Sequence, residues 1–223
     1  MLIRPGNSKL GEVPCFSILA VETCPGRTEV CESDCYATNG FFRMTNVTAA
    51  HQRNWDASKE PDFVKKMIDE IRQLELKILR VHVAGDFYSA PYIRKWIQIA
   101  QGCPDVTFYA YTRSWRRAKL LDALIDLANV DNFHLWFSCD KITHSIDGVP
   151  PVDGIRSCYM QCEHGESVPD YCDLVFRVKR DTIVKKINGC LVCPAENGIK
   201  PKRHCEQCQF CWSTAVIQPA VPG

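Results

Sequence analysis

Cys205, Cys208 and Cys211 stand at two successive C-x-x-C spacings in the string CEQCQFCW, and Cys193, followed by Pro194, lies upstream of them. In ferredoxin-like sites three thiolates of one tight loop hold three irons of a cubic cluster, and a remote Cys-Pro holds the fourth, because a short loop cannot wrap all four corners. This chain offers that set in reversed order. The competing chemistry is zinc: Cys190-x-x-Cys193 with Cys205-x-x-Cys208 would make a four-thiolate tetrahedral site. Soft thiolates serve both metals, and zinc leaves Cys211 idle, so the third cysteine of the loop favours a 4Fe-4S cluster.

A second group, Cys24, Cys31 and Cys35 in TCPGRTEVCESDCYA, supplies three thiolates and no local fourth ligand. Three ligands would leave one iron open to a substrate or cofactor, as catalytic zinc keeps one position free. The alternative is a closed structural site completed from elsewhere by Cys139, Cys158, Cys162 or Cys172. With 14 cysteines in 223 residues and enough chain for an ample core, metal explains the cysteines better than disulfides do. One or two 4Fe-4S clusters are therefore expected, with zinc as the alternative at the C-terminal set. Lone cysteines such as Cys15 and Cys103 are expected as small buried residues.

The elements that must position these groups follow from periodicity. Phe16 to Val21 reads as a first strand ahead of the early cysteines. Pro61 opens a helix with Phe63, Val64, Met67, Ile68, Ile71 and Leu74 facing inward. Leu79 to Ala84 alternates as a strand, Ser89 and Pro91 offer a cap and first turn, and Ile93, Trp96, Ile97 and Ala100 share one helical face. The rhythm repeats with a strand at Val106 to Tyr111, a helix capped by Ser114 with Leu120, Leu121, Leu124, Leu127 and Ala128 in its stripe, and a strand at Phe133 to Ser138. Beyond Cys139 come a Pro/Gly/Asp-rich passage at 147–154, a cysteine-bearing stretch and one further strand at Asp173 to Val178. This alternation predicts an α/β protein with a parallel sheet. It divides into residues 1–188, carrying the early cysteine loop, and a metal-organised C-terminal segment, 189–223, that ends in an uncharged, Pro-rich tail expected to fray.

In such sheets chemistry collects beyond the C-terminal ends of the strands. That rim would hold Gly85, Asp86, Tyr88, Thr112, Arg113, Ser138, Cys139 and Asp140 beside the early cysteine loop. Asp86 could receive an amine, and Arg113 could clamp a carboxylate or phosphate through paired hydrogen bonds. Each also has a plainer reading: a helix cap or arginine partner for Asp86, a surface ion pair for Arg113. His82, inside a strand, reads as a hydrogen-bonded core histidine.

The strings TCPGRTEVCESDCYA, RVHVAGDFYSAPYIRKWIQIA, FYAYTRSW and CEQCQFCW resemble a phage- and plasmid-borne family known as gene product eighty-eight, over nearly the whole chain. More distantly, the cysteine loop ending in Cys-Tyr-Ala, with a Gly-Asp after the next strand, is similar to the radical S-adenosylmethionine (radical SAM) enzymes. That resemblance implies a partial β/α barrel of radical-SAM type with a C-terminal cysteine-rich metal-binding appendage. It implies a three-cysteine 4Fe-4S cluster on Cys24, Cys31 and Cys35 whose open iron binds S-adenosylmethionine and reduces its sulfonium to a 5′-deoxyadenosyl radical. Tyr36 matches the aromatic residue beside the last cysteine, and Gly85 with Asp86 matches the strand end near the methionyl amine. Cys193, Cys205, Cys208 and Cys211 resemble an auxiliary cluster. The spacing here has six and then three intervening residues, where the commonest pattern of that superfamily is C-x-x-x-C-x-x-C.

Charge and hydropathy exclude some classes. With 27 Lys+Arg against 26 Asp+Glu there is no global field for nucleic acid or a membrane surface. No apolar run is long enough to cross a bilayer, and no signal peptide stands at the N-terminus, so the cytoplasm is the expected location, that of a bacterial host if phage-encoded. Arg113, Arg116, Arg117 and Lys119 around Trp115, and Lys200, Lys202, Arg203 and His204, are local basic patches. They suit phosphate contact with stacking and so a nucleic-acid partner, although a solvated helix face is the commoner cause. The substrate, small molecule or nucleic acid, is not legible.

Overall fold

The computed structural model describes residues 1–145 and 148–213. In chain order it runs β1 (Cys15–Phe16), α1 (Glu29–Ser33), α2 (Thr45–Lys59), α3 (Phe63–Gln73), β2 (Ile78–Val81), α4 (Ala90–Gly102), β3 (Thr107–Thr112), α5 (Ala118–Ala128) and β4 (Phe133–Cys139). It continues with α6 (Lys141–Ser145), β5 (Arg156–Gln161), β6 (Leu174–Arg177), β7 (Lys186–Ile187), β8 (Cys190–Val192) and α7 (Cys205–Cys208). The α/β class holds: the eight strands form one sheet in the order β1-β2-β3-β4-β5-β6-β8-β7, parallel throughout except for the β7–β8 pair.

Strand alternation gives the sheet two unlike faces. Phe16, Leu79, Val81, Phe108, Ala110, Leu135, Phe137, Val175 and Val192 join one continuous core with Phe63, Met67 and Ile71 of α3, Trp96 of α4, and Leu120, Leu124 and Leu127 of α5. Cys15, Tyr109, Trp136, Cys158, Leu174 and Cys193 form a smaller cluster on the opposite, inner face. That face is covered by Leu10 and Val13 of an N-terminal arm and by Phe210, Cys211 and Trp212 of the C-terminal segment.

Several boundaries differ from the sequence expectation. The first strand is only Cys15–Phe16, because the chain turns away early, with Val21 at φ 70°. Ser89 does cap α4, its side chain accepting from the Tyr92 amide at 3.3 Å. Ser114 does not cap α5; it is buried at the start of a 3₁₀ turn, and Arg117 precedes the helix. The helix α2 escaped the pattern because its buried stripe, Ala50, Asn54 and Ser58, is small and polar rather than apolar. Strands β5 and β8 were hidden in cysteine-bearing stretches. Residues 190–192 belong to the main sheet, so the passage into the C-terminal segment follows Val192. The tail expected to fray, 214–223, lies outside the described residues, as do residue 146 and residue 147, the first of the Pro/Gly/Asp-rich passage. Among the described residues no helix is long and apolar enough to cross a membrane.

Candidate functional site

The early cysteine loop lies over the C-terminal ends of β2, β3 and β4 and is fastened there by backbone closeness and by buried polar groups. A Cβ on Gly26 would overlap the carbonyl of Arg113, so the loop presses directly on the end of β3. Gly85, at φ 83°, gives the end of β2 the same closeness: a Cβ there would collide with Ile18 and lie 2.7 Å from the Thr23 hydroxyl. Thr28 caps α1 by accepting from the Cys31 amide at 2.9 Å, and its own hydroxyl donates to Asp140 at 2.5 Å. Arg113 forms a buried ion pair with Asp140 and donates to the Ser138 hydroxyl at 3.1 Å and the Cys139 carbonyl at 3.2 Å. The guanidinium predicted to clamp a ligand is thus engaged internally, and Ser138 serves it as acceptor.

Arg116 donates to the carbonyls of Gly26 and Arg27 at 3.0 and 3.1 Å, and Arg117 to that of Pro25 at 2.5 Å. Most of the basic patch around Trp115 therefore holds the cysteine loop down. Arg203 of the other patch lines the C-terminal concavity described below.

Asp86 is 5% exposed and accepts from the Thr112 hydroxyl at 2.6 Å and from the amides of Phe87 and Arg113 at 2.7 and 2.9 Å. Burial raises its pKa against those hydrogen bonds. Cys24, Cys31 and Cys35 are each half-buried. Burial also pushes the Cys24 thiol up, with further push from Asp86, Cys31 and Cys35. For Cys31, burial raises the pKa, Arg113 opposes it, and Cys35 and the two aspartates add to it. Cys24 and Cys31 therefore lie near each other, near Cys35 and near the buried Asp86. Tyr36 donates its hydroxyl to the Val83 carbonyl while much of its ring stays exposed.

The second group is built on the inner face. Cys193 leaves β8 toward that face, while Cys205, Cys208 and Cys211 come from α7 and the turn after it. All four line one small surface concavity, together with Leu174, Pro194 and Trp212. Cys190 does not join them. It lies three residues from Cys193, so strand alternation turns it to the helix-covered face, where its thiol meets the carbonyls of Pro169 and Asn188 at 3.7 Å. The paired C-x-x-C zinc set is accordingly not assembled, whereas the Cys193, Cys205, Cys208 and Cys211 set shares one wall. Among the described residues no three of His, Cys, Asp and Glu converge tightly enough to hold a single metal ion. A four-iron cluster asks for a wider arrangement, one thiolate on each iron.

Three cations that sequence reasoning missed, Arg80, Arg156 and Lys9, lie near these thiols. Arg80, on β2, is 8% exposed, stacks 4.2 Å from the Tyr111 ring and 5.1 Å from that of Tyr109, and its Nη1 finds no hydrogen-bond partner among the described residues. Arg156 lies 3.9 Å over Trp136 and donates to the carbonyls of Phe210 and Cys211 at 3.0 Å. Lys9 pairs with Glu196 at 2.8 Å, and its carbonyl accepts from the Cys205 amide at 3.0 Å. Burial raises the Cys205 thiol while Lys9 and Arg80 pull it down; burial pushes Cys211 up to about 11, against a hydrogen bond with Tyr111. Burial raises Cys193 as well, Lys9 opposing. The signal that could have found Arg80 is its place at an inward position of an otherwise apolar strand.

His82 behaves as expected: it is buried, shares a 2.8 Å hydrogen bond with Tyr92, and burial lowers its pKa to about 3, Arg80 adding to the effect.

A family model described as Gene product 88 matches residues 2–214. The chain is 30% identical to the Gene 88 protein of Mycobacterium phage L5 over 198 residues, covering 83% of this chain and 81% of that protein. It is 25% identical to the Gene 88 protein of Mycobacterium phage D29 over 208 residues, covering 85% of each. No solved structure matches the chain.

Proposed function

From the premise that this chain belongs to the Gene product 88 family, we propose that it is an iron-sulfur protein, with Cys193, Cys205, Cys208 and Cys211 on one 4Fe-4S cluster and Cys24, Cys31 and Cys35 on another. The observation that carries this reading is the concavity lined by four cysteines, two of which, Cys205 and Cys211, feel the charge of the buried Arg80, for which no ion pair is seen among the described residues. An unpaired buried cation is costly, and a thiolate-held cluster, anionic overall, would offset it. The donor set fits: four soft thiols, shielded by Trp136 and Trp212, with Lys9, Arg80 and Arg156 around them.

For the early group we propose a radical SAM-like activity on a partial barrel. The unreversed strand order, with helices on one face, supports the barrel, and the three half-buried thiols beside Asp86 support an open site. A bound cluster would supply one-electron reducing power there. The chain's own residues would do the rest. Arg113, Asp140 and Thr28 hold α1 and its Cys31 in place, Gly26 and Gly85 let the loop close on the strand ends, and Asp86 offers a shielded carboxylate to an amine.

A non-enzymatic iron-sulfur protein, structural or redox-sensing, is the second reading. It is favoured by the fact that Arg113, and three hydrogen bonds of Asp86, are already engaged within the rim. Zinc remains the alternative metal at the C-terminal set, on its four thiols. Protein purified without air should carry iron and acid-labile sulfide rather than zinc, and after reduction should release 5′-deoxyadenosine from S-adenosylmethionine. Iron without 5′-deoxyadenosine, and with no spectral change on adding S-adenosylmethionine, would leave the second reading standing. Zinc in place of iron would overturn the first.

A further inference from the structure

Cys139 and Cys172 belong to neither metal group, yet their sulfurs lie 3.8 Å apart inside the helix-covered core. Cys139 is the last residue of β4 and is 0% exposed; Cys172, at 4%, sits in the turn before β6. The turn itself is at the surface, since Asp170, Tyr171 and Asp173 are exposed on either side of Cys172. A pair of thiols already in contact therefore lies just beneath the surface.

We propose that Cys139 and Cys172 are a reversible redox modification site, closed to a disulfide by a peroxide and reopened by a small thiol. Hydrogen bonding from Cys172 lowers the pKa of Cys139, and Arg113 adds to this against the cost of burial, so Cys139 is the attacking sulfur. Its thiolate attacks one peroxide oxygen and the O–O bond breaks. The departing hydroxide takes a proton to leave as water, and Cys139 becomes a sulfenic acid. The Cys172 sulfur then attacks that sulfur, the S–O bond breaks, and a second water leaves with the Cys172 proton. Two thiols lose two electrons and the peroxide gains them. Two molecules of small thiol reverse the change by exchange and leave as their own disulfide.

The bond requires the sulfurs to close from 3.8 Å to about 2.05 Å. That movement starts at the residue whose carbonyl accepts from Arg113 and whose neighbour is Asp140, and so reaches Thr28 and the amide of Cys31. The oxidation state of the pair is thereby read at the early cysteine loop.

The test uses the full chain, purified without air and given one equivalent of hydrogen peroxide. It is then denatured with iodoacetamide and digested with trypsin and a glutamyl-specific protease, which separates Cys172 from Cys158 and Cys162. A linked Cys139–Cys172 peptide that dithiothreitol abolishes is the expected result. Cys172→Ser should instead leave a sulfenic acid at Cys139 that dimedone traps, and Cys158→Ser should leave the link intact, because Cys139 meets only the Cys158 carbonyl, at 3.4 Å. Full alkylation of both cysteines after peroxide, or linkage of either mainly to another cysteine, overturns the site. The wild-type mapping needs no variant, so a substitution that fails to fold does not spoil it. Hydrogen exchange over residues 28–33 should change on oxidation; unchanged exchange overturns the coupling to the loop.

Discussion

Cys24, Cys31 and Cys35 keep part of their surface in solvent on a loop above the strand ends, whereas Cys193 and Cys211 are buried against the inner sheet face. The early group is held by polar groups that touch the loop backbone, and its thiols stay free to meet something new. In the C-terminal group Cys193 and Cys211 pack among aromatic rings and the N-terminal arm, while Cys205 and Cys208 are half-buried. On the proposed reading, the early group is the one set for exchange and the C-terminal group the one set for retention. Burial raises the thiols of Cys24 and Cys31 in one group and of Cys193, Cys205 and Cys211 in the other, so metal binding there would have to displace protons.

The largest predicted break in this contrast comes from Arg113→Met. It leaves Asp140 buried and unpaired, and should cost about 3–5 kcal/mol of stability in urea denaturation. Alkylation of Cys31 should quicken in the folded protein while that of Cys208 is unchanged; equal quickening would mean the two groups are not separately held. Gly26→Ala acts on the same loop through backbone overlap with the Arg113 carbonyl. About 1–3 kcal/mol should be lost, again with selective exposure of the early cysteines. An unaltered melting curve would show that the loop can lift away without cost.

Arg80→Gln sharpens the comparison from the other side. The metal-free protein should be no less stable, since a buried unpaired charge is removed. Metal at the C-terminal group should be released to a chelator more readily, by about tenfold. Release at the wild-type rate would remove Arg80 from the account.

The effect smallest at neutral pH belongs to His82, just past the end of β2. Its pKa is about 3 in the folded chain against an ordinary 6.5, so the unfolded chain binds the extra proton first. Its contribution is present above pH about 6.5 and is lost as pH falls toward 3. Asn tolerates the positive φ of 60° found there, and His82→Asn should flatten the acid-side decline by at most about 1.4 kcal/mol per pH unit. A slope identical to wild type would assign the decline to other groups, such as His51, whose pKa burial lowers to about 4.

The parts of the fold that were legible were those with strong periodicity. The Ser89 cap, the stripe of α5 and the strands at 106–111 and 133–138 could be read because apolar residues fall at period 3.6 or 2. The helix α2 could not, because a stripe of Ala50, Asn54 and Ser58 carries no apolar signal. In the candidate site, the position of Asp86 beyond the end of β2 was legible from the strand pattern. The use of Arg113, Arg116 and Arg117 as fasteners was not, since a local basic run looks the same whether it meets solvent or a loop carbonyl. The parting of Cys190 from Cys193 needed the limits of β8, which alternation alone decides once the strand is known.

That the two cysteine groups are separate metal sites is tested most directly by counting iron and sulfide per chain after anaerobic purification of wild type, Cys24→Ala and Cys208→Ala. Each substitution should remove a different share of the iron, and the two losses should add up to the wild-type content. Loss of all iron from either single variant, with the fold intact by circular dichroism, or a folded wild-type protein free of iron, would contradict it.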